Sequence, residues 1–178
     1  MSKNVLIISS SPRKGGNSDV LCDQFAKGAE GAGNTVEKIC LRDKKIDYCN
    51  GCSVCIKGKP CPQKDDATEI IQKIIDSDVI VMATPVYFYT MSAQMKTLID
   101  RTCARYMEIE NKEFYFIMTA SDPNKSALKR TLESLRGFTS CLSNVEEKGV
   151  VYGTGLTEIG DVQNSSVLEQ AYEMGKKI

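Results

Sequence analysis

The sequence contains no histidine and no tryptophan. Without an imidazole, the chain has neither a Ser-His-Asp triad nor a Cys-His nucleophile pair. It also lacks every metal site in which histidine is a ligand. Such a composition favours chemistry whose reactivity is carried by a bound group rather than by side chains.

An excess of charge of either sign is absent too, since 23 Lys and Arg residues balance 23 Asp and Glu residues. This excludes the basic footprint typical of a nucleic-acid-binding protein and gives no reason to expect a membrane surface as partner. Apolar runs are short: none reaches the about 18 residues of a membrane helix, and Val5–Ile8 is too short for a signal-peptide core. We therefore expect one cytoplasmic domain over residues 1–178, with its eight cysteines reduced.

The long segments of the chain alternate between two patterns. Apolar, β-branched runs such as Val5–Ile8 and Val79–Ala83 are typical of strands buried on both faces of a parallel sheet. Helical periodicity separates them, and we predict helices over 91–106 and 122–141 with a loop at 84–90. Five strands alternating with five helices predict an α/β, three-layer fold with a five-stranded parallel sheet of order 2-1-3-4-5. Ligands then bind between strands one and three.

The loop after the first strand, Ser9–Ser18, is rich in hydroxyls and glycine and ends at a helix N-terminus. Backbone N–H groups, small side chains and the helix dipole favour an anion, and Arg13 adds a charge-assisted donor. The loop matches neither the P-loop nor the dinucleotide-binding glycine pattern. The alternative is a surface turn with an ordinary helix cap.

The loop after the third strand places Tyr87, Phe88 and Tyr89 in a row. So much exposed apolar area favours a flat ring ligand, although packing against helices or a second subunit is the alternative. Backbone groups near Pro85–Tyr87 are suited to the polar edge of such a ring. A phosphate loop and a ring loop at one crevice predict a mononucleotide with a planar head, and FMN is the natural candidate.

Several segments resemble the NADPH-dependent FMN reductase family of flavodoxin-like proteins, notably Ser9–Ser18, Thr84–Tyr87 and Met95–Arg101, with Gly153, Gly155 and Gly160–Val162 near the end. The resemblance covers nearly the whole chain. It implies that the FMN phosphate is bound by Ser9, Ser11, Arg13, Asn17 and Ser18. It also implies that the isoalloxazine ring lies along Pro85, Val86, Tyr87 and Phe88, with Ser121 in the loop 119–122 at the far edge.

Four cysteines stand within 13 residues, at Cys49, Cys52, Cys55 and Cys61. This spacing is typical of an iron–sulfur site, and it resembles the compact motif of iron–sulfur flavoproteins, in which a [4Fe-4S] cluster exchanges electrons with FMN. A Cys₄ zinc site and thiols without a metal are the alternatives. Cys22, Cys40, Cys103 and Cys141 are assigned no role.

These features predict an FMN-dependent oxidoreductase that passes electrons from NAD(P)H through bound FMN to an acceptor that the sequence does not identify. Because the flavin carries the reactivity, no catalytic acid or base is assigned. An electron carrier with FMN and a [4Fe-4S] cluster is the alternative, and a redox or zinc sensor is a third. The exposed aromatic loop also predicts a homo-oligomer, in the simplest case a dimer.

Overall fold

A computed structural model describes residues 2–178. In this part of the chain the strands are β1 Asn4–Ser9, β2 Thr35–Cys40, β3 Val79–Tyr87, β4 Thr90–Met91, β5 Glu110–Thr119 and β6 Ser143–Gly153. The α-helices are α1 Asn17–Gly31, α2 Ala67–Asp76, α3 Ala93–Arg101, α4 Lys129–Thr139 and α5 Val167–Gly175. None of the helices in residues 2–178 has the length and hydropathy needed to cross a bilayer.

The five long strands form one parallel sheet in the order β2-β1-β3-β5-β6. The two-residue strand β4 is antiparallel to the end of β3 and lies outside this order. Counted over the long strands, the predicted 2-1-3-4-5 topology is confirmed. The change of direction falls between β1 and β3, where Ser9 is in register with Ala83.

Alternate residues of the central strands bury into two separate cores. Leu6 and Ile8 face the core covered by α2, α3 and α4, whereas Val5 and Ile7 face the core covered by α1 and α5. Both faces of the sheet are therefore buried, as the uninterrupted apolar runs predict.

The predicted loop at 84–90 is wrong in its conformation. Strand β3 continues to Tyr87 because Thr84 and Pro85 still pair with β5. The chain then reverses, with Val86 opposite Met91. Phe88 and Tyr89 are the two turn residues and both have positive φ, 49° and 64°, which is the requirement of the tight turn that best matches strand twist.

Two predicted helices are too long. Helix α3 begins only after Ser92, whose Oγ accepts a hydrogen bond from Met95 N, and it gives way at residue 102 to short 3₁₀ turns. Helix α4 begins at Lys129, because the Asp122 carboxylate accepts the Asn124 N–H at 2.8 Å and closes a local turn instead of capping a helix. A 3₁₀ turn, Lys125–Leu128, intervenes.

Candidate flavin site and the cysteine loop

The loops after β1 and β3 are held together at the carboxyl edge of the sheet. Ser10 donates to the Ala83 carbonyl oxygen from both its backbone N (2.9 Å) and its Oγ (3.0 Å). Ser92 Oγ in turn donates to Ser10 Oγ at 2.9 Å, and Ser92 N donates to Thr84 Oγ1 at 2.9 Å. These buried bonds fix the spacing of the two loops, so a ligand between them meets a preformed cleft.

The first loop forms a compact turn in front of α1. Ser11 Oγ accepts from Arg13 N at 3.2 Å and donates to Arg13 O at 3.1 Å, and Gly16 N donates to the same oxygen at 3.1 Å. A Cβ on Gly16 would lie 2.9 Å from Ser11 Oγ, so only glycine lets the turn close this tightly. No side chain caps α1 at Gly16, which leaves its first N–H groups to an anion.

A buried carboxylate, Asp19, lies beneath this turn. It accepts from Ser9 Oγ at 3.2 Å and from Gly15 N at 3.1 Å. Lys38 Nζ at 2.9 Å and Arg42 Nη1 at 3.1 Å provide the counter-charge from the end of β2. Burial by itself raises the pKa of Asp19, but the hydrogen bonds and charges, those of Lys38 foremost, outweigh burial and lower its pKa below the usual value. The ionised carboxylate therefore anchors the turn from inside.

Ser9 is consequently not on the ligand side of the turn. It is fully buried, and its hydroxyl is directed to Asp19. The structure places Ser9 as a support of the turn rather than as a group in reach of a phosphate.

The far wall of the cleft comes from the ends of β5 and β6. Leu156 N donates to Ala120 O at 2.9 Å, which fastens the loop after β6 to the loop after β5. This loop also reaches the first turn, because Arg13 Nη1 donates to Thr157 O at 3.1 Å and Asn17 Nδ2 donates to Glu158 O at 2.9 Å. Three loops thus enclose one space.

The cavity between the three loops measures about 180 Å³ and is open to solvent on one side. Eight of the predicted ligand-binding residues line it: Ser11, Arg13, Asn17, Ser18, Pro85, Val86, Tyr87 and Ser121. Gly16, Leu156 and Thr157, which are not among the predicted ligand residues, also line it. No local pattern in the sequence marks Leu156 or Thr157, since only the fold brings them to this edge.

A second hollow of about 500 Å³ continues from the cavity past Val86, Ala120 and Ser121. Phe88 belongs to this second hollow, where it is 99% exposed. The first cavity alone is smaller than the about 300 Å³ at the lower end of cofactor sites, whereas the two spaces together exceed that volume. The β1 loop contributes hydrogen-bond donors to the cavity, and the end of β3 contributes Pro85, Val86 and Tyr87. This donor set and the glycine-closed turn fit a phosphorylated planar cofactor such as FMN.

The four motif cysteines lie on the segment between β2 and α2, away from the cavity lining. Cys49 and Cys52 are exposed, whereas Cys55 and Cys61 are half-buried. Within residues 2–178, no three Cys, Asp or Glu side chains converge in a geometry that would hold a metal ion. Four thiolates on one segment are the donor set that an iron–sulfur cluster uses, and in this structure they are not gathered around one point.

The base of the cysteine segment is fixed by Arg101 at the end of α3. Its Nη1 donates to Asp47 O at 2.8 Å and to Asp65 Oδ2 at 2.5 Å. Its Nη2 donates to Asp65 Oδ1 at 3.0 Å and contacts Cys61 Sγ at 3.6 Å. One buried guanidinium thus ties both ends of the segment and one of its thiols to the sheet-covering helices.

The fold and the site together define a flavodoxin-like α/β domain with a mononucleotide crevice at its topological switch point. Residues 3–146 match the model of the family described as NADPH-dependent FMN reductase. The chain belongs to this family, and the predicted class, an FMN-dependent oxidoreductase, is confirmed at the level of the family.

Several curated relatives are named iron-sulfur flavoprotein. The chain is 31% identical over 183 residues to one from Methanocaldococcus jannaschii, covering 98% of this chain and 94% of the relative. It is 44% identical over 91 residues to one from Archaeoglobus fulgidus, covering 51% of this chain and 41% of that relative. This second match therefore spans less than half of the Archaeoglobus protein.

Solved structures share the fold. An azoreductase from Bacillus anthracis str. Sterne superposes with a TM-score of 0.75 at 17% identity, over 100% of both chains. At this identity the similarity establishes the fold only, and it says nothing about the substrate of this chain.

Proposed function

We propose that the chain binds FMN in the cleft between the β1 and β3 loops and passes electrons from NAD(P)H through it to an acceptor. The phosphate end is assigned to Ser11, Arg13, Asn17 and Ser18, with Ser9 supporting the turn from below. The ring is assigned to Pro85, Val86, Tyr87, Phe88 and Ser121. The observation that carries the proposal is the single cleft with anion donors at one end and an aromatic hairpin at the other.

Each part of the chain then has a defined task. The backbone N–H groups of the glycine-closed turn and of the uncapped start of α1 bind the phosphate. Arg13 adds a charged donor. To reach the phosphate, its guanidinium either breaks its hydrogen bond to Thr157 O or binds both acceptors with different N–H groups. The hairpin at Phe88 covers the ring and limits water. FMN, when bound, supplies the hydride and single-electron chemistry.

The test is a flavin titration followed by steady-state kinetics. Purified chain should bind FMN more tightly than riboflavin, because only FMN reaches the anion donors, and the complex should oxidise NADH or NADPH in the presence of a soluble acceptor. Absence of FMN affinity contradicts the proposal. Tight FMN binding without NAD(P)H oxidation favours an electron carrier over a reductase.

We propose, as a second assignment, that Cys49, Cys52, Cys55 and Cys61 bind a [4Fe-4S] cluster. The cysteine spacing supports it, as do the relatives named iron-sulfur flavoprotein. Anaerobic purification with iron and sulfide analysis tests it. Cys52→Ser should abolish the iron content, whereas Cys141→Ser, which removes an exposed cysteine outside the motif, should leave it unchanged. Iron-free wild-type chain after anaerobic reconstitution contradicts the assignment.

We also propose a cytoplasmic homo-oligomer, a dimer in the simplest case, in which a partner covers the hairpin. Phe88 is 99% exposed and its neighbours Tyr87 and Tyr89 are exposed as well. An apolar protrusion of this kind favours an interface. Light scattering of wild type and Phe88→Asp tests it: a shift of the variant towards the monomer supports the proposal, and a monomeric wild type contradicts it.

A further inference from the structure

A fifth cysteine lies beside the cysteine segment. Cys103 is in the 3₁₀ turn Thr102–Ala104 that follows α3, and its side chain is exposed. Partial burial and then the thiols of Cys55 and Cys49 raise the pKa of Cys103. The turn that carries Cys103 packs against the turn Cys55–Lys57. The cysteine motif alone gives no sign of this neighbour, which comes from another part of the chain.

The backbone on both sides of this contact is anchored. Arg101, two residues before Cys103, is buried and bonded to Asp65 and to the Asp47 carbonyl oxygen. The same guanidinium contacts Cys61 Sγ. The turn of Cys103 is therefore anchored two residues before the thiol, and it packs against the turn of Cys55.

The other cysteines offer no comparable pair. Cys22 is fully buried in the core. Cys40 has Asp19 as its polar neighbour, with its Sγ 3.8 Å from the carboxylate. Cys141 is exposed and its thiol donates to Gly137 O at 3.4 Å, at the end of α4. Two thiols brought together by separate elements, one exposed and one half-buried, are accessible to a small oxidant.

We propose that Cys55 and Cys103 form a reversible disulfide by exchange with a low-molecular-weight disulfide. In the first step a protein thiolate attacks the small disulfide, forming a mixed disulfide and releasing one small thiol. In the second step the other protein thiolate displaces the second small thiol. Two protein thiols are oxidised and one small disulfide is reduced to two thiols, which take up the two protons that the protein thiols lose. The disulfide occupies Cys55 Sγ, so it competes with any metal bound by the cysteine segment.

The test uses the full chain equilibrated with mixtures of reduced and oxidised glutathione, as purified and after iron chelation. Free thiols are alkylated, and a non-reducing digest is analysed by mass spectrometry. The expected product is a linked peptide containing Cys55 and Cys103. Cys103→Ser should lose it and carry glutathione on Cys55, whereas Cys141→Ser should retain it.

The proposal is supported if the Cys55–Cys103 peptide is the main linked product in at least one of the two wild-type samples. Its absence from both samples overturns it, as does a main link from Cys103 to Cys49. Reduction with dithiothreitol should restore both thiols. The flavin content of each sample is recorded in parallel, and since the disulfide requires no FMN, failure of flavin binding and failure of this proposal give separate readouts.

Discussion

Arg101 and Asp65 form a buried ion pair with an Nη1–Oδ2 distance of 2.5 Å and side chains that are 2% and 1% exposed. Asp65 also accepts the Asp47 N–H at 3.0 Å and the Ala67 N–H at 3.1 Å. Burial alone raises the pKa of Asp65, but these hydrogen bonds and the guanidinium outweigh it and lower the pKa. The pair joins the two ends of the cysteine segment and starts α2 directly behind it.

Replacement of this acid should therefore destabilise the chain strongly. Asp65→Asn leaves the Arg101 guanidinium buried without its counter-charge, and we expect a loss of about 3 kcal/mol or more in the free energy of unfolding. Urea denaturation followed by circular dichroism measures it. Asp100→Asn is the matched control, because its partner Lys96 and Asp100 itself are 58% and 45% exposed, and it should cost less than about 1 kcal/mol. Equal losses in the two variants would contradict the role of the buried pair.

The phosphate assignment predicts a difference between two adjacent cations. Both side chains are exposed, but Arg13 lines the cavity and Lys14 does not. Arg13→Ala should weaken FMN binding about tenfold or more, because a hydrogen bond to a charged group contributes about 1.5–3 kcal/mol. Riboflavin affinity should change little, since riboflavin has no phosphate. Fluorescence titration with both flavins measures this.

Lys14→Ala removes the same charge from the same turn and serves as the control. It should leave the preference for FMN over riboflavin intact. If the lysine variant loses as much FMN affinity as the arginine variant, the effect is general electrostatics, and the specific contact of Arg13 is excluded.

The Asp19 carboxylate predicts a pH dependence of stability. Its pKa in the folded chain lies below the usual value of 3.8. A group with a lowered folded pKa contributes stability above its unfolded pKa and loses it as the pH falls through the folded pKa. Asp19→Asn should thus be clearly less stable than wild type at pH 7, and the gap should shrink as the pH is lowered through the region below about 4.

Denaturant unfolding at a series of pH values measures this gap. Asp23→Asn is the control, because Asp23 shares the Lys38 partner but is itself 54% exposed, and its gap should be small at every pH. An Asp19→Asn gap that stays constant down to pH 3 would exclude ionisation as its cause.

Much of the fold was accessible from the sequence because its signals are local. Runs such as Val5–Ile8 and Val79–Ala83 identify doubly buried parallel strands, and the strand order then places the two ligand loops side by side. Eight of the ligand residues that the family resemblance implies line one cavity.

The parts that sequence reasoning missed depend on contacts between distant segments. The hairpin requires positive φ at Phe88 and Tyr89. Aromatic residues rarely adopt positive φ, so the sequence does not indicate this turn. The bonds from Lys38 and Arg42 to Asp19 arise only when β2 lies beside α1. The resemblance implies a phosphate-binding role for Ser9, whereas in the structure its hydroxyl donates to the buried Asp19 carboxylate. The turn after α3, which carries Cys103, likewise comes to lie against the turn of Cys55 only in the folded chain.

The close contact between α1 and α5 also joins distant segments of the chain, and it depends on two glycines. A Cβ on Gly28 would lie 2.1 Å from Tyr172 O, and a Cβ on Gly175 would lie 2.1 Å from Phe25 O. Two glycines thus let the helix backbones touch over the core of β1 and β3. Gly28→Ala should destabilise the chain by about 1–3 kcal/mol, because the helices must separate or bend.

Gly31→Ala is the matched control in the same helix. Nothing lies within 4 Å of a Cβ at Gly31, so the higher helix propensity of alanine should leave stability unchanged or raise it by up to about 1 kcal/mol. Thermal and urea unfolding of both variants measure the difference. If Gly28→Ala is as stable as Gly31→Ala, the backbones of α1 and α5 are not in contact, and the packing of α5 on this face of the sheet has to be assigned differently.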